Sequence, residues 1–138
     1  METDDVDAGL IDALAQTAFT VMAALNRVGA EHDLSLTQLR VLGILQDRRL
    51  RVSELAEYLG LEKSTMTGLV DRAEKRGLLG RAPSATDGRA VEVFVTPAGA
   101  ALAGPIYARI AELLAPLLDG LRPAERRQLH QSLERFLR

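Results

Sequence analysis

Apolar positions along the chain follow two rhythms, one with spacings of three and four and one that alternates. From Asp7 to about Ala30 they recur at Leu10, Leu14, Val21, Leu25 and Val28, with a second stripe at Ile11, Ala15, Phe19 and Met22. That pattern predicts a long helix with a wide apolar face and more than one neighbour. "SLTQ" at Ser35–Gln38 matches a capping box, so a second helix is expected to about Gln46, with Leu36, Leu39, Leu42 and Leu45 inward. "DRRLR", Asp47–Arg51, reads as a polar, solvated connection. Ser53 is the expected cap of "ELAEYLG", whose Gly60 offers a left-handed stop. After the short turn "GLEK", a helix from Lys63 to Arg76 places Met66, Leu69, Val70 and Ala73 on one face, and Gly77 stops it.

The alternating rhythm comes next. "LLGRA" predicts one strand, "PSATDG" a turn, and "AVEVFV" a second strand with Val91, Val93 and Val95 on one side. Thr96 is a suitable N-cap and Pro97 suits the first helical position. The last third is apolar helix with a break at "DGLRP"; Pro105 and Pro116 are expected to bend or divide it. A final helix from Pro123 would turn Leu129, Leu133, Phe136 and Leu137 inward. Helix, turn, helix and a two-stranded hairpin describe a winged helix-turn-helix, mainly α with a small β-hairpin wing.

Composition changes this picture mostly by exclusion. The chain has 138 residues and no cysteine, which removes disulfides, zinc–cysteine sites and thiol switching. No nucleophile–base arrangement or glycine-rich phosphate loop is apparent, so no catalytic site and no cofactor are expected. His32 and His130 read as surface residues rather than metal ligands. No uninterrupted apolar run approaches a membrane span and the acidic start "METDDVDAG" is unlike a signal peptide, so a cytoplasmic protein without membrane contact is expected. The formal charge is −2, but residues 62–89 carry six bases against four acids, a local net of +2. That excess is weak evidence of a nucleic-acid surface by itself.

"LSLTQLRVLGIL", "VSELAEYLGLEKSTMTGLVDRAEKRGLL" and "DGRAVEVFVTPAG" resemble, in order and spacing, the multiple-antibiotic-resistance regulator (MarR) family of bacterial transcription factors. The most specific element is Asp87-Gly88-Arg89 followed by Thr96-Pro97-Ala98-Gly99. The resemblance implies a homodimer, with N- and C-terminal helices (residues 1–34 and 97–138) intertwined and a winged helix-turn-helix lobe (residues 35–96) on each side. It implies binding of double-stranded DNA at a palindromic operator, commonly as a repressor released by a small ligand.

Carried over by position, the recognition helix would present Lys63, Ser64, Thr65, Thr67, Gly68, Arg72 and Lys75 to DNA, with Asp71 beside them. The wing would present Arg81, Asp87, Gly88 and Arg89, with Asp87 steadying it through Arg81 or Arg72. A glycine at position 68 departs from the family pattern and offers no side chain to read a base. Phe19, Met22, Arg27 and His32 mark an expected pocket for an aromatic or anionic effector. The competing reading is a winged-helix dimerisation or protein-docking module without DNA readout; it requires neither Arg89 at the wing tip nor a basic recognition face.

Overall fold

The computed structural model describes residues 2–137. Met1 and Arg138, the outermost residues of the acidic start and of the last helical segment, lie outside them. Six helices and three short strands follow one another as α1 (Glu2–Glu31), α2 (Leu36–Ile44), β1 (Leu50–Arg51), α3 (Val52–Leu59), α4 (Lys63–Lys75), β2 (Leu79–Pro83), β3 (Val91–Val95), α5 (Pro97–Leu118) and α6 (Pro123–Phe136).

Local chemistry sets the helix ends. Ser35 accepts from the Gln38 N–H at 3.1 Å while the Gln38 side chain accepts from the Ser35 N–H at 2.9 Å, the capping box expected for α2. The cap of α3 is not Ser53. The helix begins at Val52, and Glu54 reaches back to the Arg51 N–H at 3.0 Å, so Arg51 takes the cap position and Ser53 lies inside the first turn. The two glycine stops hold: Gly60 has φ 66° and Gly77 φ 75°, backbone that glycine adopts without a steric cost.

The sheet has three strands in the order β1-β3-β2, all antiparallel, not two. The extra strand is Leu50–Arg51, the end of the stretch expected to be a solvated loop; Leu50 pairs with Val93 and Arg51 with Glu92. Two residues are too few to show alternation, so periodicity could not find it. In the same stretch the Arg49 guanidinium lies 4.5 Å from the Phe94 ring centroid.

The core joins all the elements of the winged lobe. Leu55, Met66, Val70 and Val93 are fully buried around Val41 of α2, and Val28 of α1 closes the top. The expected inner face of α4, Met66, Leu69, Val70 and Ala73, is buried throughout. In α5, Ala103 and Ile106 face the lobe. Neither proline divides this helix: α5 runs unbroken from Pro97 to Leu118. The carbonyls deprived of a donor by Pro105 and Pro116 belong to Ala101 and Glu112, exposed residues whose freed carbonyls solvent can serve.

The expected inward face of α6 is the main correction. Leu129, Leu133, Phe136 and Leu137 are all exposed, and α6 contains no buried residue. Val6, Leu10, Ile11, Leu14 and Phe19 of α1 are exposed as well. The amphipathic pattern was correct, but nothing among the described residues covers these faces. By length and mean hydropathy (1.5 and 1.3) the segments Asp4–Glu31 and Pro97–Leu118 are long and apolar enough to cross a membrane, a test that core helices of soluble proteins pass as well.

Candidate nucleic-acid interface

Helix α4 turns its apolar residues into the core, which obliges the polar ones to face out. Lys63, Ser64, Thr65, Asp71, Arg72 and Lys75 are exposed, and Thr67 and Gly68 lie at the margin of that face. The Thr67 hydroxyl donates to the Lys63 carbonyl at 2.9 Å, and its oxygen can still accept. A side chain at Gly68 would meet only the tip of Arg72, whose Nη1 lies 3.4 Å from the place a Cβ would occupy. Arg72 therefore folds back over a bare patch of helix and can swing away from it.

The wing is built on the same principle of local satisfaction. The Asp87 carboxylate accepts from the Arg89 N–H at 3.1 Å, and Ser84 Oγ accepts from the N–H groups of Thr86 and Asp87, both at 3.3 Å. Ser84 N donates to the Ala90 carbonyl at 2.9 Å and closes the loop. Asp87 thus steadies the wing through the backbone of Arg89, not through Arg81 or Arg72 as expected.

Arg81 has a different duty. From β2 it donates to Asp71 Oδ1 at 2.7 Å and to Glu74 Oε2 at 2.6 Å, both on α4. Burial works against its charge, but the hydrogen bonds to Asp71 and Glu74 outweigh it and raise its pKa. The side chain is 27% exposed and bolts wing to recognition helix. Little of its charge is left for a ligand.

Recognition helix and wing frame one open cleft of about 530 Å³. Of the residues singled out in the sequence, it gathers Lys63, Thr67, Arg81, Asp87 and Arg89; Ser64, Thr65, Arg72 and Lys75 continue along the exposed face of α4 beyond it, and Gly88 sits at the exposed wing tip. It adds Arg51 and Ser53 at the start of α3, which sequence reasoning missed. The signal was present in the third base of "DRRLR", one residue before the helix. Arg51 pairs with Glu54 at 3.1 Å, whereas Lys63, Arg72, Lys75 and Arg89 form no ion pair among the described residues.

A second hollow, about 420 Å³, lies between α1, α2 and α5. Met22 lines it, but Phe19, Arg27 and His32 do not. Phe19 is 72% exposed on the outer face of α1, Arg27 pairs with Glu31 at 3.8 Å, and the His32 carbonyl accepts from Arg76 at 2.9 Å. The polar groups at this hollow are Arg40 and Tyr107, neither anticipated. Each lies one position from an apolar residue of its helix, Arg40 beside Leu39 and Tyr107 beside Ile106, so helical spacing alone does not mark either as a lining residue.

Comparison with known proteins agrees with this architecture. The family model described as MarR family matches residues 32–90. The uncharacterised HTH-type transcriptional regulator YfiV of Bacillus subtilis (strain 168) is 34% identical over 102 residues, 73% of this chain and 64% of that protein. The HTH-type transcriptional repressor IacR of Pseudomonas putida is 31% identical over 111 residues, 80% of this chain and 66% of that protein. The chain thus spans just under two thirds of either relative. The solved apo structure of wild-type MarR from E. coli superposes with a TM-score of 0.73 at 25% identity, covering 95% of this chain and 96% of that one. Winged lobe, long flanking helices and these matches together establish that the chain belongs to the MarR family.

Proposed function

We propose that the protein is a DNA-binding transcriptional regulator that works in the cytoplasm as a homodimer, represses from a palindromic operator, and is released by a small effector. The observation that carries DNA binding is the cleft between α4 and the wing, which brings unpaired Lys63 and Arg89 to one solvent-facing surface. Helix α4 enters the major groove, where Ser64, Thr65 and Arg72 meet base edges, thymine methyls and phosphates. Arg89 reaches the adjacent minor groove, which is most negative where it is narrow and A·T-rich. Lys63 and Lys75 neutralise backbone phosphate at either end of α4.

Dimerisation is supported by the uncovered apolar faces of α1 and α6. Apolar side chains gathered on one exposed face commonly mark a protein contact. Their charges also complement one another: Asp4, Asp5, Asp7 and Asp12 lie on α1, and Arg122, Arg126, Arg127 and Arg135 on or beside α6. A second copy therefore suits these faces better than lipid does. Repression fits the kinship to IacR, itself named a repressor. The hollow between α1, α2 and α5 lies within the size range of small-molecule sites and is the place for an effector.

Selection of bound sequences from a random duplex pool tests the reading. A two-fold palindrome with half-sites about 34–36 Å apart, or a multiple, is the expected outcome. A folded protein that enriches no sequence, with affinity for random DNA that does not change between low and moderate salt, would refute it.

A further inference from the structure

Gly68 lies in the interior of recognition helix α4, where glycine is less stable than alanine. The fold supplies no reason for it. Of the glycines, Gly60 and Gly77 have positive φ, so Gly68 has ordinary helical backbone that any residue adopts. Gly29 and Gly99, also helical, are crowded by the backbone carbonyls of Leu34 and Leu78. At Gly68 the space is open. Apart from the helix's own backbone, one atom comes within 4 Å of the place a Cβ would occupy: Arg72 Nη1, at 3.4 Å.

Helical side chains lean toward the N-terminus, so a residue covers the position four before it. Arg72 does so here, and it finds no side chain in the way. Its guanidinium is thereby carried about 6 Å along the axis from its own Cα, four residues at about 1.5 Å each. The acids beside it do not divert it. Asp71 and Glu74 are held by Arg81 at 2.7 Å and 2.6 Å, and Arg72 has no ion pair among the described residues. Lys63 and Lys75 stand at the two ends of α4, and Ser64 and Thr65 are short. Arg72 is therefore the one long polar side chain left free in the middle of the exposed face.

We propose that Gly68 sets the base that α4 reads. It leaves a slot in which the Arg72 guanidinium lies, and from that slot Arg72 meets one guanine per half-site, donating to O6 and N7. Gly68 acts through Arg72 and is a positioning residue, not itself a contact. This rests on the reading of the protein as a DNA-binding regulator and adds the residue that determines its specificity. A side chain at position 68 fills the slot and turns the guanidinium away from that base pair. Alanine displaces it least, since its Cβ ends at contact distance from Nη1; leucine fills the slot outright. Both favour helix over glycine, so a loss of base reading is not a loss of α4.

Selection from a random duplex pool with the full-length protein supplies the operator, in which one guanine per half-site should depend on Arg72. Affinity for it is compared with that for operators carrying adenine or 7-deazaguanine at the same position. The parent should prefer guanine to adenine by roughly 5- to 150-fold, the range for one bidentate pair. It should lose about tenfold on 7-deazaguanine, which lacks the N7 acceptor. Gly68→Leu should bring both ratios to within about twofold of unity, with Gly68→Ala between it and the parent. Added to Arg72→Ala, Gly68→Leu should change operator affinity by less than about twofold, because the side chain it displaces is already gone. Guanine preference kept by Gly68→Leu overturns the proposal. So does a further large loss when Gly68→Leu is added to Arg72→Ala, which would mean that the bare backbone of α4 itself lies against the DNA. A selected palindrome with no guanine that depends on Arg72 overturns it while the regulator reading stands; selection of no sequence at all removes both.

Discussion

Substituting alanine at Gly99 and at Gly68 should move stability in opposite directions, although both glycines lie within helices. On propensity alone, replacing a helical glycine by alanine stabilises by about 0.8–1 kcal/mol. Gly68 is free to realise that gain, since a Cβ there meets only the flexible end of Arg72 at 3.4 Å. Gly99 is not. Its Cβ would lie 2.2 Å from the Leu78 carbonyl oxygen and 3.1 Å from its carbon, both backbone. That carbonyl already accepts from the Thr96 N–H at 3.1 Å, and the Thr96 hydroxyl donates to the Gly77 carbonyl and accepts from the Gly99 N–H. A Cβ must push the first turn of α5 away from the end of α4 by about an ångström and loosen that junction. Overpacking of this kind costs about 1–3 kcal/mol, and one weakened hydrogen bond about 0.5–1.5 more. Set against the propensity gain, Gly99→Ala should destabilise by about 1–3 kcal/mol. Urea unfolding followed by circular dichroism, at one fixed protein concentration so that the proposed self-association enters equally, reads both changes. A Gly99→Ala protein as stable as the parent would show that α5 does not close on Leu78. A Gly68→Ala protein destabilised by more than 1 kcal/mol would show hidden contacts on the recognition face.

Other outcomes follow from the same geometry. Arg72→Ala should relax sequence preference at one base position at a loss of about 1–3 kcal/mol, read from binding to single-substituted operators. Arg89→Ala should lower the slope of log affinity against log salt by about one phosphate-equivalent, or weaken binding most on A·T-rich flanks. Arg81→Ala leaves Asp71 and Glu74 facing each other on α4; because both carboxylates are half-exposed it should cost only about 1 kcal/mol of stability, while wing amide exchange quickens. Glu54 has a lowered pKa, first because the Arg51 N–H donates to it and then through the Arg51 side chain. Its capping contribution is therefore complete above its ordinary value of 4.5 and is lost as pH falls through the lower folded-state value. Glu54→Gln should flatten that part of the stability profile, and an identical acid limb in both proteins would argue against the cap. Removal of residues 122–138 should shift sedimentation from dimer toward monomer.

Much of the lobe was legible because its signals are local. Ser35 with Gln38, Thr96 with Pro97, Gly60 and Gly77 each act within four residues, and each behaves as its chemistry requires. Met66, Leu69, Val70 and Ala73 repeat at helical spacing, so the buried side of α4 fixed its outward side too. What escaped depends on contacts distant in sequence. Leu50 and Arg51 are a strand only because Val93 and Glu92 lie alongside. Arg81 read as a DNA contact because nothing local shows that Asp71 and Glu74 claim its guanidinium. Phe19 and Arg27 looked like pocket residues because the end of α1 was known but its rotation was not. Arg40 and Tyr107 meet only after α2 and α5 pack, across 67 residues of chain. The apolar side of α6 was read correctly as apolar and wrongly as covered, since among the described residues it stays exposed.

The Arg76 side chain donates to the Asp33 carbonyl at 2.7 Å and the His32 carbonyl at 2.9 Å, pinning the end of α4 to the foot of α1. Mechanically this makes α1 a lever arm. At 1.5 Å per residue, its 30 residues extend about 45 Å. With its foot fixed to the recognition helix, a tilt of roughly 5° corresponds to a displacement of about 4 Å at the far end of a rod of that length. The converse also holds. A substitution far up α1, touching neither DNA nor effector, can re-aim α4 by changing how the arm is seated. Mutational searches for altered operator spacing should therefore recover changes along the whole of α1 and not only near the cleft, and Arg76→Ala should uncouple the two.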